Sequence, residues 1–181
     1  AVAFDRACRA AGVEPVLGLA VTVAWPDDLA PPDGQRDGRD QPGLLVILAQ
    51  NTAGYRSLCR ISSLVQGEAG YEARGAQGLT LDDLRENADG LICLTGGRRG
   101  WSERAIRAGE ANLAHRFIGK LCGIYGPEQT FVGLEIHTPG DQAIAQALAD
   151  RADLLGLKTV AVQPVYSLDP DDEARLQLLA A

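Results

Sequence analysis

Two stretches of this chain hold side chains able to do chemistry. The first is FVGLEIHTPGD, residues 131–141, in which Glu135 and His137 stand two positions apart. Imidazole is a good transition-metal ligand, and on a regular strand two residues at this spacing share a face. The pair alone is too small to carry a catalytic assignment. A single histidine at a strand end is more often a hydrogen-bonded structural residue than a ligand. The second stretch is GGRRG, residues 96–100. It follows a strand-like run and precedes a helix start. The backbone amides of Gly96 and Gly97 and the guanidinium groups of Arg98 and Arg99 therefore form a candidate seat for a phosphate. The competing reading is a solvated β–α loop, and the run lacks the Lys-Ser/Thr ending of a P-loop. His115 falls on a helix and takes no role, and no Ser/His/Asp arrangement is visible. Cys8, Cys59, Cys93 and Cys122 are far apart with no C-x-x-C pairing. They read as buried free thiols of a reducing cytoplasm.

The elements that must position these residues alternate between strand and helix. An alanine-rich amphipathic helix is expected over residues 1–11, stopped by Gly12. Residues 15–24 read as a strand apolar on both sides, as in a buried parallel sheet. Residues 26–42 are rich in Pro, Asp, Gly and Arg and read as a flexible surface loop. A second buried strand covers 44–49, and Asn51 or Thr52 caps a helix running to about Gln66. Residues 67–78 read as a glycine-rich loop. Thr80 and Asp83 have capping-box spacing for a short helix reaching Asn87. A third strand spans 90–94, and one long helix spans 102–125 with the stripe Ala114, Phe117, Ile118, Leu121, Cys122 and Tyr125. A fourth strand spans 130–136. Pro139 opens the next helix, which Gly156 closes. A fifth strand spans 158–162, and Asp169 caps a last helix. This alternation predicts parallel strands with right-handed crossovers.

Length and composition set the outer bounds. The chain has 181 residues, 46% of them hydrophobic, enough for one domain with its own core. Aromatic residues make up only 5%, so aliphatic side chains and alanine must fill that core. A net charge of -7 argues against a dedicated nucleic-acid surface, which needs a basic excess. No apolar run reaches the ~20 residues that cross a bilayer, and the start has no signal-peptide pattern. The chain opens inside a helix-like run without methionine, as expected for a piece of a longer protein.

Three stretches together carry a family resemblance: PVLGLAVTV at 15–23, LLVILAQNTAGYRSLCRISSL at 44–64, and FVGLEIHTPGD followed by VAVQPVYSLDPDDEARLQLL. They resemble the polymerase-and-histidinol-phosphatase (PHP) domain at the N-terminus of bacterial DNA polymerase III alpha subunits, over nearly the whole chain. The resemblance implies an α/β fold: an incomplete, distorted (β/α)7 TIM-like barrel, with residues 1–181 forming one domain fragment. It also implies where a metal site would be. In the family, His, Asp, Glu and sometimes Cys at the C-terminal end of the barrel bind up to three divalent ions. They hydrolyse phosphoesters, including the 3′ end of DNA. The first family ligands, an HxH-type and an Asp-His motif, would lie before residue 1. Of the remaining positions, a glutamate is replaced by Ala20, a histidine by Leu44, and a frequent cysteine by Gly97. The Asp-x-His becomes Pro164, Val165 and Tyr166. Only the histidine at His137 is retained.

Losing even a residue that merely orients a ligand costs ~10–100-fold, so losing four or five ligands leaves no metal site. The resemblance therefore implies an inactive barrel without a cofactor of its own, serving as a structural and partner-docking module. The implied parent is a cytoplasmic DNA-directed DNA polymerase, replicative or error-prone, that uses Mg in a separate palm domain. A Thr-Gly-x-Arg-basic-Gly stretch like that at 95–100 is found in the error-prone branch. The implied partners are the remainder of the alpha chain, a proofreading exonuclease subunit, and DNA through the parent, with no membrane. One rival is an active Mn- or Zn-dependent phosphoesterase or 3′–5′ exonuclease whose ligands come from the missing N-terminal part. Another is an interaction domain borrowed by a non-polymerase protein. Missing strands would leave open sheet edges, and the expected consequence is dimerisation.

Overall fold

The computed structural model describes residues 2–29, 41–66, 77–163 and 165. The first helix, α1 (Val2–Ala10), buries none of its residues. Its C-terminal turn closes at Gly12, whose φ of 71° no side-chain-bearing residue adopts readily. Strand β1 (Gly18–Val23) follows, then a short 3₁₀ turn at Asp27–Leu29 and β2 (Gly43–Ala49). Helix α2 (Thr52–Gln66) is capped by Asn51, whose Oδ1 accepts the Gly54 amide at 3.0 Å. Helix α3 (Leu81–Glu86) has the expected capping box between Thr80 and Asp83. Strand β3 (Leu91–Leu94) leads to a 3₁₀ turn at Gly97–Arg99. Helices α4 (Trp101–Arg107) and α5 (Ala111–Tyr125) come next, then β4 (Thr130–Leu134), α6 (Asp141–Leu154) and β5 (Lys158–Ala161).

The expected loops at 26–42 and 67–78 fall largely outside the described residues. So do Pro164, Tyr166 and the helix expected after Asp169. No helix among the described residues is long and apolar enough to cross a membrane.

The five strands form one open sheet in the order β1-β2-β3-β4-β5. The all-parallel expectation is corrected here. β1 and β2 are antiparallel, as are β2 and β3, while β3–β4 and β4–β5 are parallel. Between β1 and β2 the described residues hold only the three-residue 3₁₀ turn. Between β2 and β3 the chain passes through α2 and α3 and re-enters the sheet where β2 finished. Ala49 pairs with Leu91, and the Gln50 amide donates to Gly90 O at 2.9 Å.

The expected single helix over 102–125 is two helices. Gly109, at φ 78°, separates them. The Glu110 amide donates to Ala105 O at 2.8 Å and the Gly109 amide to Ile106 O at 3.0 Å. This pair of bonds is the glycine-based C-terminal closure of a helix.

One face of the sheet is covered. Val21, Val23, Leu45, Ile47, Leu91 and Cys93 pack there with Ile61, Phe117 and Leu121 from the helices. A second cluster joins Val132 to Ala114, Ile118, Leu148 and Ala152. Trp101, 1% exposed, packs edge-on against Phe117 and Trp25 at ring separations of 4.2 and 5.3 Å. By strand alternation the other face presents Ala20, Leu44, Val46, Leu48, Ile92, Leu94 and Phe131. None of these seven is buried. An apolar second face left half-open is what a barrel wall shows when its circle is incomplete.

Candidate functional site

The open face holds a cavity of about 420 Å³. Its floor is apolar: Ala20 from β1, Leu44 and Val46 from β2, Leu94 from β3, and Val162 just after β5. Its rim is polar, formed by Gly96–Arg99 after β3 and by Glu135 and His137 after β4. Residues dispersed over the sequence thus converge. Ala20, Leu44, Gly97 and His137, four positions compared with the family pattern, line this one cavity with all of Gly96, Gly97, Arg98 and Arg99. Pro164 and Tyr166 lie outside the described residues.

The rim after β3 depends on two glycines. Gly96 has φ 78°, and a Cβ there would overlap the Leu44 carbonyl. Gly97 has φ 55°, and a Cβ there would overlap the Glu135 carboxylate. Glu135 thus fills the space that a side chain at position 97 would need. β4 ends at Leu134, two residues sooner than the sequence pattern suggests, so Glu135 and His137 lie beyond the ladder. They still meet, with His137 Nε2 3.3 Å from Glu135 Oε2. The Arg98 amide donates to the same Glu135 oxygen at 3.4 Å. The Glu135 side chain is 11% exposed and that of His137 33%.

A buried carboxylate fastens the two rim segments together. Asp141, at the first turn of α6, is 2% exposed. Its Oδ1 accepts Arg98 Nη2 at 3.0 Å and Arg107 Nη2 at 2.7 Å. Its Oδ2 accepts the His137 amide at 3.1 Å, the Thr138 amide at 2.8 Å and Thr138 Oγ1 at 3.0 Å. The Arg107 hydrogen bond and then the Thr138 amide hold its carboxyl well below the usual carboxylate range. Arg107 also grips Glu103, with Nη2 at 2.6 Å and Nε at 2.9 Å from Oε1. Asp141 and Glu103 raise the Arg107 pKa further above its ordinary value.

Arg98 is thus tied to Asp141 through Nη2, while its side chain stays 44% exposed. Arg99 is exposed at the rim. Sequence reasoning missed Asp141, Glu103 and Arg107. The four-residue spacing of Glu103 and Arg107 was a readable signal. Nothing in the sequence linked either to Asp141, 34 residues beyond Arg107.

The donor set does not fit a multi-ion metal centre. Ala20, Leu44 and Gly97 offer no side-chain donor, which leaves Glu135 and His137 in the cavity. Among the described residues no group of three or more His, Cys, Asp or Glu is placed to hold a metal ion. A transition-metal centre of the zinc type takes at least three protein ligands. Cys93, the nearest thiol in the strand, is fully buried on the opposite face, and burial pushes its pKa up.

An open α/β sheet with an apolar-floored cavity at the C-terminal ends of β3, β4 and β5 is the architecture of an incomplete barrel-type domain. The chain belongs to the PHP domain family, whose model matches residues 1–139. It is similar to the DNA polymerase III subunit alpha of Bacillus subtilis, at 25% identity over 181 residues. That match covers 100% of this chain and 15% of the relative. The Escherichia coli K12 subunit of the same name is 30% identical over 173 residues, covering 94% of this chain and 14% of the relative. The Thermus aquaticus subunit is 27% identical over 188 residues, covering 100% and 14%. The chain thus spans only about one-seventh of the length of these relatives.

Proposed function

We propose that this PHP domain is a structural and partner-docking module of a bacterial DNA polymerase III alpha subunit, with no phosphoesterase chemistry of its own. The observation that supports the reading is the apolar cavity floor, which Ala20 and Leu44 share and where the family resemblance would expect metal ligands. A packed barrel keeps its mechanical use after its site is lost, because stability and site are separable. The parent chain is a DNA-directed DNA polymerase of replication or of error-prone repair synthesis, working in the cytoplasm with Mg in another domain. The module braces the rest of that chain and offers a surface to a proofreading exonuclease subunit. It meets DNA only through the parent, in keeping with its net charge of -7. The Gly96–Arg99 rim serves as an anion seat through its amides and the Arg99 guanidinium.

The Glu135–His137 pair favours a second reading, in which preceding residues supply further donors and the cavity is an active phosphoesterase or 3′–5′ exonuclease site. One experiment separates the two. The full-length chain is analysed for bound metal and assayed with Mn and Zn on a 3′-labelled single strand. The structural module predicts no stoichiometric metal and no nucleotide release. Two or more tightly bound ions, with nucleotide release abolished by His137→Ala, would establish the enzymatic reading instead.

A further inference from the structure

The outward face of α2 runs against the charge of the molecule. The chain carries 24 acidic and 17 basic residues, yet the 15 residues of α2 include Arg56 and Arg60 and no acid. Elsewhere Arg9, Arg85, Arg107, Lys120 and Lys158 each hold a carboxylate of this chain. Arg56 and Arg60 are exposed and hold none among the described residues. Standing four residues apart, they are neighbours one turn apart on one helix face. Tyr55, 41% exposed, and the exposed thiol of Cys59 lie on that face with them. Arginine and tyrosine are the side chains that interfaces favour over ordinary surface. A groove of about 520 Å³ runs beside them towards α3, with Cys59, Arg60 and Ser63 on one wall and Glu86 on the other.

We propose that this face of α2 docks an acidic helix of a separate protein subunit, one whose carboxylates stand four residues apart. Such a helix repeats the spacing of the two arginines and meets each guanidinium with a carboxylate, a pairing that planar, bidentate geometry makes specific. A nucleic-acid strand fits the face less well. Two cations neutralise little of a phosphate backbone, and Glu86 across the groove repels it. Permanently covered surfaces resemble a core cut in half. This face is charged and polar around one aromatic ring, which favours a partner that comes and goes over a fixed segment of the parent chain. The inference rests on the reading of the domain as a docking module and adds the surface and the chemistry of the partner.

The test reads alkylation of Cys59 in the full-length chain, by mass spectrometry of its peptide, because that thiol lies between the two arginines. The probe is a helical peptide with glutamates four residues apart. It is expected to slow alkylation several-fold, less so as salt is raised. The same peptide with glutamines should give no protection. Replacing both arginines, Arg56→Ala with Arg60→Ala, should abolish the protection, and both are exposed, so the variant keeps its fold. If Cys59 reacts freely and the glutamate peptide never protects it, α2 is an ordinary solvated face. The proposal then falls alone, because the metal and nuclease assays judge the module reading at a different site. A Cys59 that is unreactive without any peptide, yet reacts in urea, would show that the parent chain itself covers α2, which excludes the separate partner. If a single-stranded oligonucleotide protects Cys59 through both arginines better than the peptide does, the face is one for nucleic acid and the proposal is overturned.

Discussion

Asp141 illustrates how much organisation one residue can supply. It accepts from two arginines, two amides and a hydroxyl, and so ties the segment after β3 to the segment after β4. A carboxylate stabilised in this way has a folded-state pKa below its ordinary value of 3.8. Its contribution to stability is complete above the unfolded-state pKa and is lost as the pH falls towards the folded-state value. We therefore expect Asp141→Asn to be less stable than the unmodified chain at neutral pH. The gap should narrow as the pH is lowered through and below about 4, where an unfolded aspartate takes up its proton. Urea melts of both chains at neutral and acid pH measure this. A gap that stays constant across that range would show that the charge of Asp141 is irrelevant.

Local sequence signals decided much at the scale of elements. The Thr80–Asp83 box forms as its spacing predicts, with Asp83 accepting the Thr80 amide at 2.8 Å and Thr80 Oγ1 accepting the Asp83 amide at 3.1 Å. Thr80→Ala removes that cap and is expected to cost ~1 kcal/mol, read as a shift in a denaturant midpoint. An unchanged midpoint would mean the cap is redundant with the packing of Leu84, which is fully buried. The helix and strand positions were legible because apolar periodicity and glycine stops are local. Gly12 and Gly156 acted as the stops they resembled. Gly109 is a weaker stop in sequence, because helix-forming residues flank it on both sides and only its φ of 78° reveals the break. Strand direction was not legible, because it depends on where each connection travels rather than on what the strand contains. The family pattern pointed to Ala20 and Leu44 of the cavity floor but not to Val46, Leu94 or Val162, which strand alternation brings beside them. The Asp141 network could not be read at all, since it joins residues far apart through side chains that look like ordinary surface charges.

At the scale of the molecule the sheet is lopsided. One face packs against helices and the other stays half-open around the cavity. Among the described residues β5 pairs only with β4, and β1 pairs only with β2 apart from a bridge between Val23 and Leu79. Unpaired edges and an open apolar face promote self-association. The isolated segment is therefore expected to associate as its concentration rises, and sedimentation velocity over a wide concentration range measures this. A clean monomer throughout would show that the open face is covered from within the chain.

The contact between Gly97 and Glu135 also limits what the cavity can be made to hold. The family resemblance implies a frequent cysteine at position 97. Here, a side chain at 97 must take a φ of 55° and meet the Glu135 carboxylate. Both obstacles act before any ion could reward the change. A donor side chain at 97 therefore needs two changes rather than one: a relaxed backbone turn and a displaced Glu135. The turn and the acid lock one another in place, so this corner of the cavity resists being refitted residue by residue.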